Sequence, residues 1–294
     1  MRILEYTVGK EKAGRTVRSI ALGEMKLSRS RFSSLKFQNA ILADGAPARA
    51  DMRLREGQVL KICLTDAGQP LIPYAVPFEI PYEDEDLFIV DKPAPLPTLC
   101  SAHQAGPTLE NALYARLGCP EDYVFRPVNR LDKGTSGLMA VARNAHVQQL
   151  LQKQLHTDSF RREYLAVCEG RPGAETGVID LPIGKVGDFA GRAILSDGLQ
   201  SRTHYQVIEE GKNGRFLLRL RLETGRTHQI RVHLAAMGCP VAGDYLYGQA
   251  DGALPGRFAL HSCFVRLRHP ITGREIRLES PLPDALRALL QEKR

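Results

Sequence analysis

The chain reads as an α+β protein with a small basic module in front of a larger body. Three observations carry this reading. Short apolar strand patterns dominate the body and are interrupted by only a few helical patterns, so the regular strand–helix alternation of a doubly wound sheet is missing. Four prolines fall within twelve positions (Pro70, Pro73, Pro77, Pro81), a density that excludes a helix or an inner strand and marks a boundary. Charge is unevenly spread: residues 1–70 hold 13 Lys and Arg against 7 Asp and Glu, while the whole 294-residue chain carries only +7. These features divide the chain into a basic module (1–70), a proline-rich linker (71–82) and a nearly neutral body (83–294). A basic module joined to a neutral body suggests a grip on nucleic acid.

In the module, residues 26–36 read as a basic helix with a serine cap. Residues 40–48 form a strand with an Asp-Gly turn, and 57–62 a closing strand led by glycine. Further on, Thr108 opens a helix. Asn144 opens another that runs to about Leu155, with Val147, Leu150, Leu151 and Leu155 along one face. Residues 87–90, 138–142, 164–168, 204–208, 216–222 and 258–265 read as strands. There is no internal repeat and no low-complexity tract.

Apolar residues make up 43% of the chain and charged residues 25%, as in ordinary globular proteins, and the length suffices for a core without disulfides. The six cysteines are far apart and form no Cys-x-x-Cys pair, which argues against zinc ribbons and for reduced thiols in the cytoplasm. The first residues lack the apolar core of a signal peptide, and no stretch has the length of a membrane span.

The most informative segment is Arg130-Leu131-Asp132-Lys133-Gly134-Thr135-Ser136-Gly137. On composition alone it is a surface turn. It fits neither a P-loop, since Lys133 precedes Gly134, nor a dinucleotide fingerprint. It displays one acid among basic residues, a placement suited to an anionic partner. With its preceding residues Arg126-Pro127-Val128-Asn129 it resembles the catalytic motif of the RluA-type RNA pseudouridine synthases, with Asn129 where His is usual. Residues 82–93, the Arg162-Glu163-Tyr164 segment, residues 224–234, Gly243 to Gly248 and Leu260-His261-Ser262 resemble further segments of that family in the same order. Residues 1–70 resemble, more loosely, the small RNA-binding domain named after ribosomal protein S-four.

The resemblance implies a pseudouridine-synthase fold, a mixed and largely antiparallel sheet with flanking helices and loops. It also implies an isomerase that turns specific uridines of RNA into pseudouridine, in ribosomal RNA or else transfer RNA, as a cytoplasmic monomer. The reaction breaks one bond to ribose and makes another without redox change, so it needs no cofactor and no metal. The family positions make Asp132 the catalytic group, by attack on the substrate or by removal of a ribose proton. Arg231 is its arginine partner, and arginine favours and orients a carboxylate. Tyr164 lies against the base, and Leu260 forms an apolar wall. Arg130, Lys133, Arg226 and His228 are expected to hold the RNA around a flipped-out uridine. His228 and His233 are five residues apart and match no zinc signature. Arg29, Arg31 and Lys36 are the expected phosphate contacts of the module.

Taken singly, Tyr164 and Leu260 read as core and Arg231 as a surface cation. A non-catalytic RNA binder that keeps the fold is the competing reading. A hydrolase is disfavoured because the motif offers one carboxylate where most glycosidases use two.

Overall fold

The structure is a computed structural model that describes residues 2–64, 71–100, 106–155, 157–187 and 191–291. Pro70 and the end of the expected module therefore lie outside the described residues. The front part contains β1 (Arg2–Thr7), α1 (Val17–Gly23), α2 (Arg29–Phe37), β2 (Ile41–Ala43), β3 (Ala46–Pro47) and β4 (Val59–Leu64). The strands form one sheet in the order β1-β4-β2-β3. Thr16 and Ser28 cap the two helices by accepting from Ser19 N and Arg31 N. Val17, Ile20, Phe32 and Leu35 pack on Leu60 and Ile62 in a core of their own. The hairpin turns at Asp44-Gly45, both at positive φ. β1 and α1 had no strong signal in the sequence.

The body begins with β5 (Glu79–Glu83) and β6 (Leu87–Lys92). It continues through α3 (Leu109–Arg116), β7 (Ser136–Ala142), α4 (Ala145–Gln154), β8 (Phe160–Glu169) and β9 (Thr176–Asp180). Then come β10 (Ile183–Lys185), β11 (Arg192–Ile194), β12 (Arg202–Glu210), β13 (Arg215–Leu222), α5 (Gln229–Ala236), β14 (Leu260–Arg268), β15 (Glu275–Glu279) and α6 (Asp284–Ala288). Its main sheet runs β5-β6-β7-β14-β8-β13-β12-β9, with β15 beside β14. Only β7 and β14 pair in parallel among the described strands of this sheet. Thr108 and Asn111 form a reciprocal capping box on α3, and Asn144 caps α4.

Both faces of the sheet are covered, so β7 is buried throughout and β6 everywhere but at the half-buried Asp91. Leu87, Ile89, Leu138 and Ala140 meet Val147 and Leu151 of α4 on one face. Phe88, Val90, Met139 and Val141 face the opposite core, which also holds Ile230, Leu234 and Leu286 of α5 and α6. The candidate site lies on this second side.

The segment 71–82, expected from its prolines to be a linker, is docked chain instead. Leu71, Val76, Phe78 and Ile80 pack against the body core, and 79–83 is an edge strand. The edge explains how Pro81 is tolerated, because one side of the strand needs no ladder donor, and the pairing with β6 is irregular between Glu79 and Tyr82. The front part also contacts the body. Arg2 donates to both carboxylate oxygens of Asp86, at 3.0 and 3.3 Å, and lies 3.0 Å from Glu85, while Ile271 touches both cores.

Candidate active site

The motif loop is held from both ends. Before it, residues 126–128 run along β7: Val128 N donates to Ala140 O and Ala142 N to Arg126 O. Asn129 is buried and its Oδ1 accepts from Ala140 N at 3.4 Å, while its Nδ2 has no partner. The position where the family usually has His thus ties the loop to the sheet. Thr98 Oγ1 then donates to Leu131 O at 2.6 Å, Leu96 N donates to Lys133 O at 2.9 Å, and Thr135 N closes a turn onto Asp132 O. Leu131 is buried, and the Asp132 side chain remains 29% exposed.

Two glycines allow this approach. A Cβ on Gly134 would lie 2.6 Å from the Phe258 ring, and one on Gly137 (φ 108°) would lie 2.3 Å from Ser262 O. No larger residue permits β7 and β14 to pair here.

Asp132 faces a cleft of about 710 Å³. Tyr164, Arg231, Arg130, Lys133, Arg226, His228 and Leu260 all line that cleft, brought from four separate stretches of chain. Arg231 Nη1 donates to Asp132 Oδ2 at 3.3 Å. Its other face is committed: Nε and Nη2 donate to Asp244 Oδ2 and Oδ1 at 2.7 and 2.8 Å, a two-point pair with both side chains almost fully buried. The guanidinium also lies 4.1 Å from the Phe258 ring centre and 4.9 Å from that of Tyr247. Burial opposes its charge, but Asp244 and then Asp132 outweigh that and raise the Arg231 pKa. The reading of Arg231 as a surface cation is therefore corrected.

Asp244 is itself fixed in a turn, since Oδ1 also accepts from Leu246 N and Tyr247 N at 3.0 and 3.2 Å. His228 stands at the start of α5 in a left-handed conformation (φ 58°), a strained backbone for a residue with a Cβ. Its Nδ1 is 2.8 Å from Tyr247 Oη and its Nε2 is 3.9 Å from Asp132 Oδ2. Gln229 holds the loop before it, accepting from Arg226 N and Thr224 Oγ1 and donating to Arg202 O and Thr203 Oγ1. His233 does not reach the cleft. It is buried with its ring nitrogens on Thr203 Oγ1 and Leu181 O, and its place is structural. Arg29 and Lys36 are exposed on α2, far from the loop in sequence and outside the residues that line the cleft, while Arg31 is half-buried and its charge acts on His146.

Residues 86–236 match the family model for RNA pseudouridylate synthases. The chain is 38% identical over 304 residues to ribosomal large subunit pseudouridine synthase D of Nitrosomonas europaea, covering 98% of this chain and 87% of the relative. It is 31% identical to the uncharacterized RNA pseudouridine synthase YlyB of Bacillus subtilis, covering 100% and 99%. The chain belongs to the RNA pseudouridylate synthase family. Among solved structures, human RNA pseudouridylate synthase domain containing 1 superposes with a TM-score of 0.57 at 26% identity, over 71% of this chain and 87% of that one. The protein is an RNA pseudouridine synthase, an isomerase.

The sequence reading of the synthase missed four site residues: Asp244, Tyr247, Phe258 and Lys92. Asp244 and Tyr247 stand in the quoted Gly243–Gly248 segment, where an acid between a glycine and apolar residues was the available signal. Phe258 read only as strand. Lys92 is fully buried, with Nζ donating to Pro93 O at 3.0 Å and Leu96 O at 2.7 Å, and so it shapes the turn that holds the motif loop. Burial pulls its pKa down to about 7, against the opposing pull of the Asp132 charge. Burial likewise lowers the His228 pKa, helped by the charges of Arg231 and Arg192 and opposed by Asp132.

Asp84, Asp86 and His269 cluster on the far side of the synthase, close enough for a metal. The donor set does not suit one. His269 Nδ1 accepts from Ile271 N and Thr272 N, which places the ring proton on Nε2, 2.9 Å from Asp84 Oδ2, and Asp86 is taken by Arg2. No helix among the described residues is long and apolar enough to cross a membrane.

The depressed pKa of Lys92 has a measurable consequence. Between about pH 7 and about 10.4 the unfolded chain binds a proton that the folded chain does not, so this group makes stability rise with pH through that window. Below it both states are protonated and the full cost of burying the charge remains. Denaturant unfolding at pH 7 and pH 9.5 should show the wild type gaining up to about 1.4 kcal/mol per pH unit relative to Lys92→Met. Parallel pH curves for the two proteins would contradict a buried lysine with this titration.

Proposed function

We propose that this synthase isomerises uridines of large-subunit ribosomal RNA, with Asp132 as the group that acts on the sugar of a flipped-out uridine. The observation that carries the reading is the single carboxylate of Asp132, oriented by a buried arginine at the mouth of a basic cleft. The substrate class follows the printed names of relatives such as ribosomal large subunit pseudouridine synthase D.

In the reaction the bond between ribose and ring nitrogen breaks, the uracil turns, and a bond forms to carbon five. Carbon five gives up its proton and the freed nitrogen gains one, so atoms balance without any cofactor. Asp132 reaches the sugar from the loop side, either attacking it or taking a ribose proton. Arg231 fixes the carboxylate and is itself fixed by Asp244, so the group is oriented before RNA arrives. Tyr164 is largely buried at the wall of the cleft and burial raises its pKa, so its hydroxyl keeps its proton at neutral pH. That favours stacking and hydrogen bonding to the base over service as a base. Leu260 closes the apolar side. Arg130, Lys133 and Arg226 are exposed around the rim, placed for phosphates of the splayed strand.

The front part (1–70) serves as an RNA-binding domain of the S-four-like type. Arg29 and Lys36 are its exposed contacts, and Arg31, turned toward the body, contributes less. No residue is assigned to a metal, and the protein acts in the cytoplasm as a monomer.

Tritium release from unmodified ribosomal RNA labelled on carbon five of uracil reads the chemistry. The wild type should release tritium and Asp132→Ala should release none. Equal release by both would remove Asp132 from the reaction, and none by either would favour the non-catalytic binder. The front part is tested by the salt dependence of RNA binding. Joint replacement of Arg29 and Lys36 by Gln should make the slope of log K against log salt shallower by about 1.5. An unchanged slope would remove α2 from the interface.

A further inference from the structure

Arg162 is a buried arginine for which the reaction as described has no use. It lies on β8 two residues before Tyr164, so both side chains leave the same face of the strand. It is 7% exposed and lines the cleft. Arg130, Lys133 and Arg226 are by contrast exposed.

A buried cation is costly unless it is paired. The acids near Arg162 are already taken. Glu163 leaves the opposite face of β8 and pairs with Arg161 and with Arg219, the latter at 3.3 Å. Asp132 is held by Arg231 at 3.3 Å. Among the described residues no carboxylate or carbonyl accepts from the Arg162 guanidinium, and its one ring neighbour, Phe160, is 5.8 Å away. Its nitrogens are not sealed in, either, since they are absent from the fully buried unpartnered atoms of the chain. Gly225 explains why they stay open. A Cβ there would lie 3.6 Å from both Nη1 and Nη2, so any longer side chain would cover the edge by which a guanidinium grips an anion.

We infer that Arg162 is the inner phosphate receptor of the cleft, taking a backbone phosphate of the RNA beside the uridine turned toward Asp132. The inference rests on the reading of this cleft as the site of isomerisation. A phosphodiester supplies the missing negative charge and two oxygens matched to the guanidinium fork. A uracil carbonyl offers an acceptor but no charge, and so would leave the buried cation uncompensated. Arg162 is thus a positioning residue. By holding the sugar–phosphate from inside, it fixes how deep the ribose sits relative to the Asp132 carboxylate.

The test separates phosphate binding from mere packing. Affinity for oligouridylate is measured against potassium chloride concentration for the wild type, Arg162→Gln and Arg162→Lys, and tritium release from unmodified ribosomal RNA is measured for all three. Arg162→Gln should weaken binding by about tenfold or more and flatten the salt slope by about 0.7. Its loss in turnover should fall on KM more than on kcat. Arg162→Lys should restore the slope, because the charge returns, but only part of the affinity, because the fork does not. An unchanged slope in Arg162→Gln, or a loss carried by kcat alone, would overturn the inference. Should the wild type release no tritium while the slope still changes, the proposed substrate fails and the phosphate receptor stands.

Discussion

The site depends on one buried ion pair. Arg231 is almost fully enclosed, and its charge is tolerable only because Asp244 meets it with two hydrogen bonds from a turn that also saturates the carboxylate with backbone donors. Breaking such a pair by removing one partner costs about 3–5 kcal/mol, because the other charge is left stranded. Two of the guanidinium nitrogens are thus fixed by Asp244, which sets the plane of the group, and the third, Nη1, donates to Asp132. The orientation of the Asp132 carboxylate is decided by a residue that does not itself contact it.

Packing transmits this constraint to the motif loop. The Phe258 ring lies under the Arg231 guanidinium and also packs against Gly134, so it is shared by the arginine and the motif loop. Lys92 holds the turn at 93–96, which in turn holds Lys133 through its carbonyl. Gly137 lets β7 and β14 pair in parallel directly behind the loop. The carboxylate therefore sits on a rigid support while the rim arginines stay exposed. That division suits a rigid reaction centre inside an adaptable grip on RNA.

The sequence made the α+β class, the strong strands of the body and the capped helices legible, since apolar periodicity and Thr108, Asn144 and Ser28 are local signals. β10, β11 and β15 were not legible, because three- to five-residue strands carry too little pattern. The segment 71–82 misled because prolines exclude inner strands but not the edge strand β5. At the site, resemblance named Asp132, Tyr164 and Arg231, which the structure brings to one cleft. It did not reveal Asp244, Phe258 or Lys92, whose importance comes from contacts far apart in sequence. Asn129 is a similar case: residue type alone says only that it cannot carry charge, while its contact with Ala140 N places it in the scaffold.

The measurement that bears most directly on this account is the single-turnover rate of Asp244→Asn on RNA that the wild type modifies, with RNA affinity measured alongside. The substitution keeps the shape and removes the charge that fixes Arg231. The rate should fall by about a hundredfold or more, the scale of one lost preorganising interaction, with affinity changed far less. A rate near that of the wild type would show that Asp132 does not owe its orientation to the buried pair.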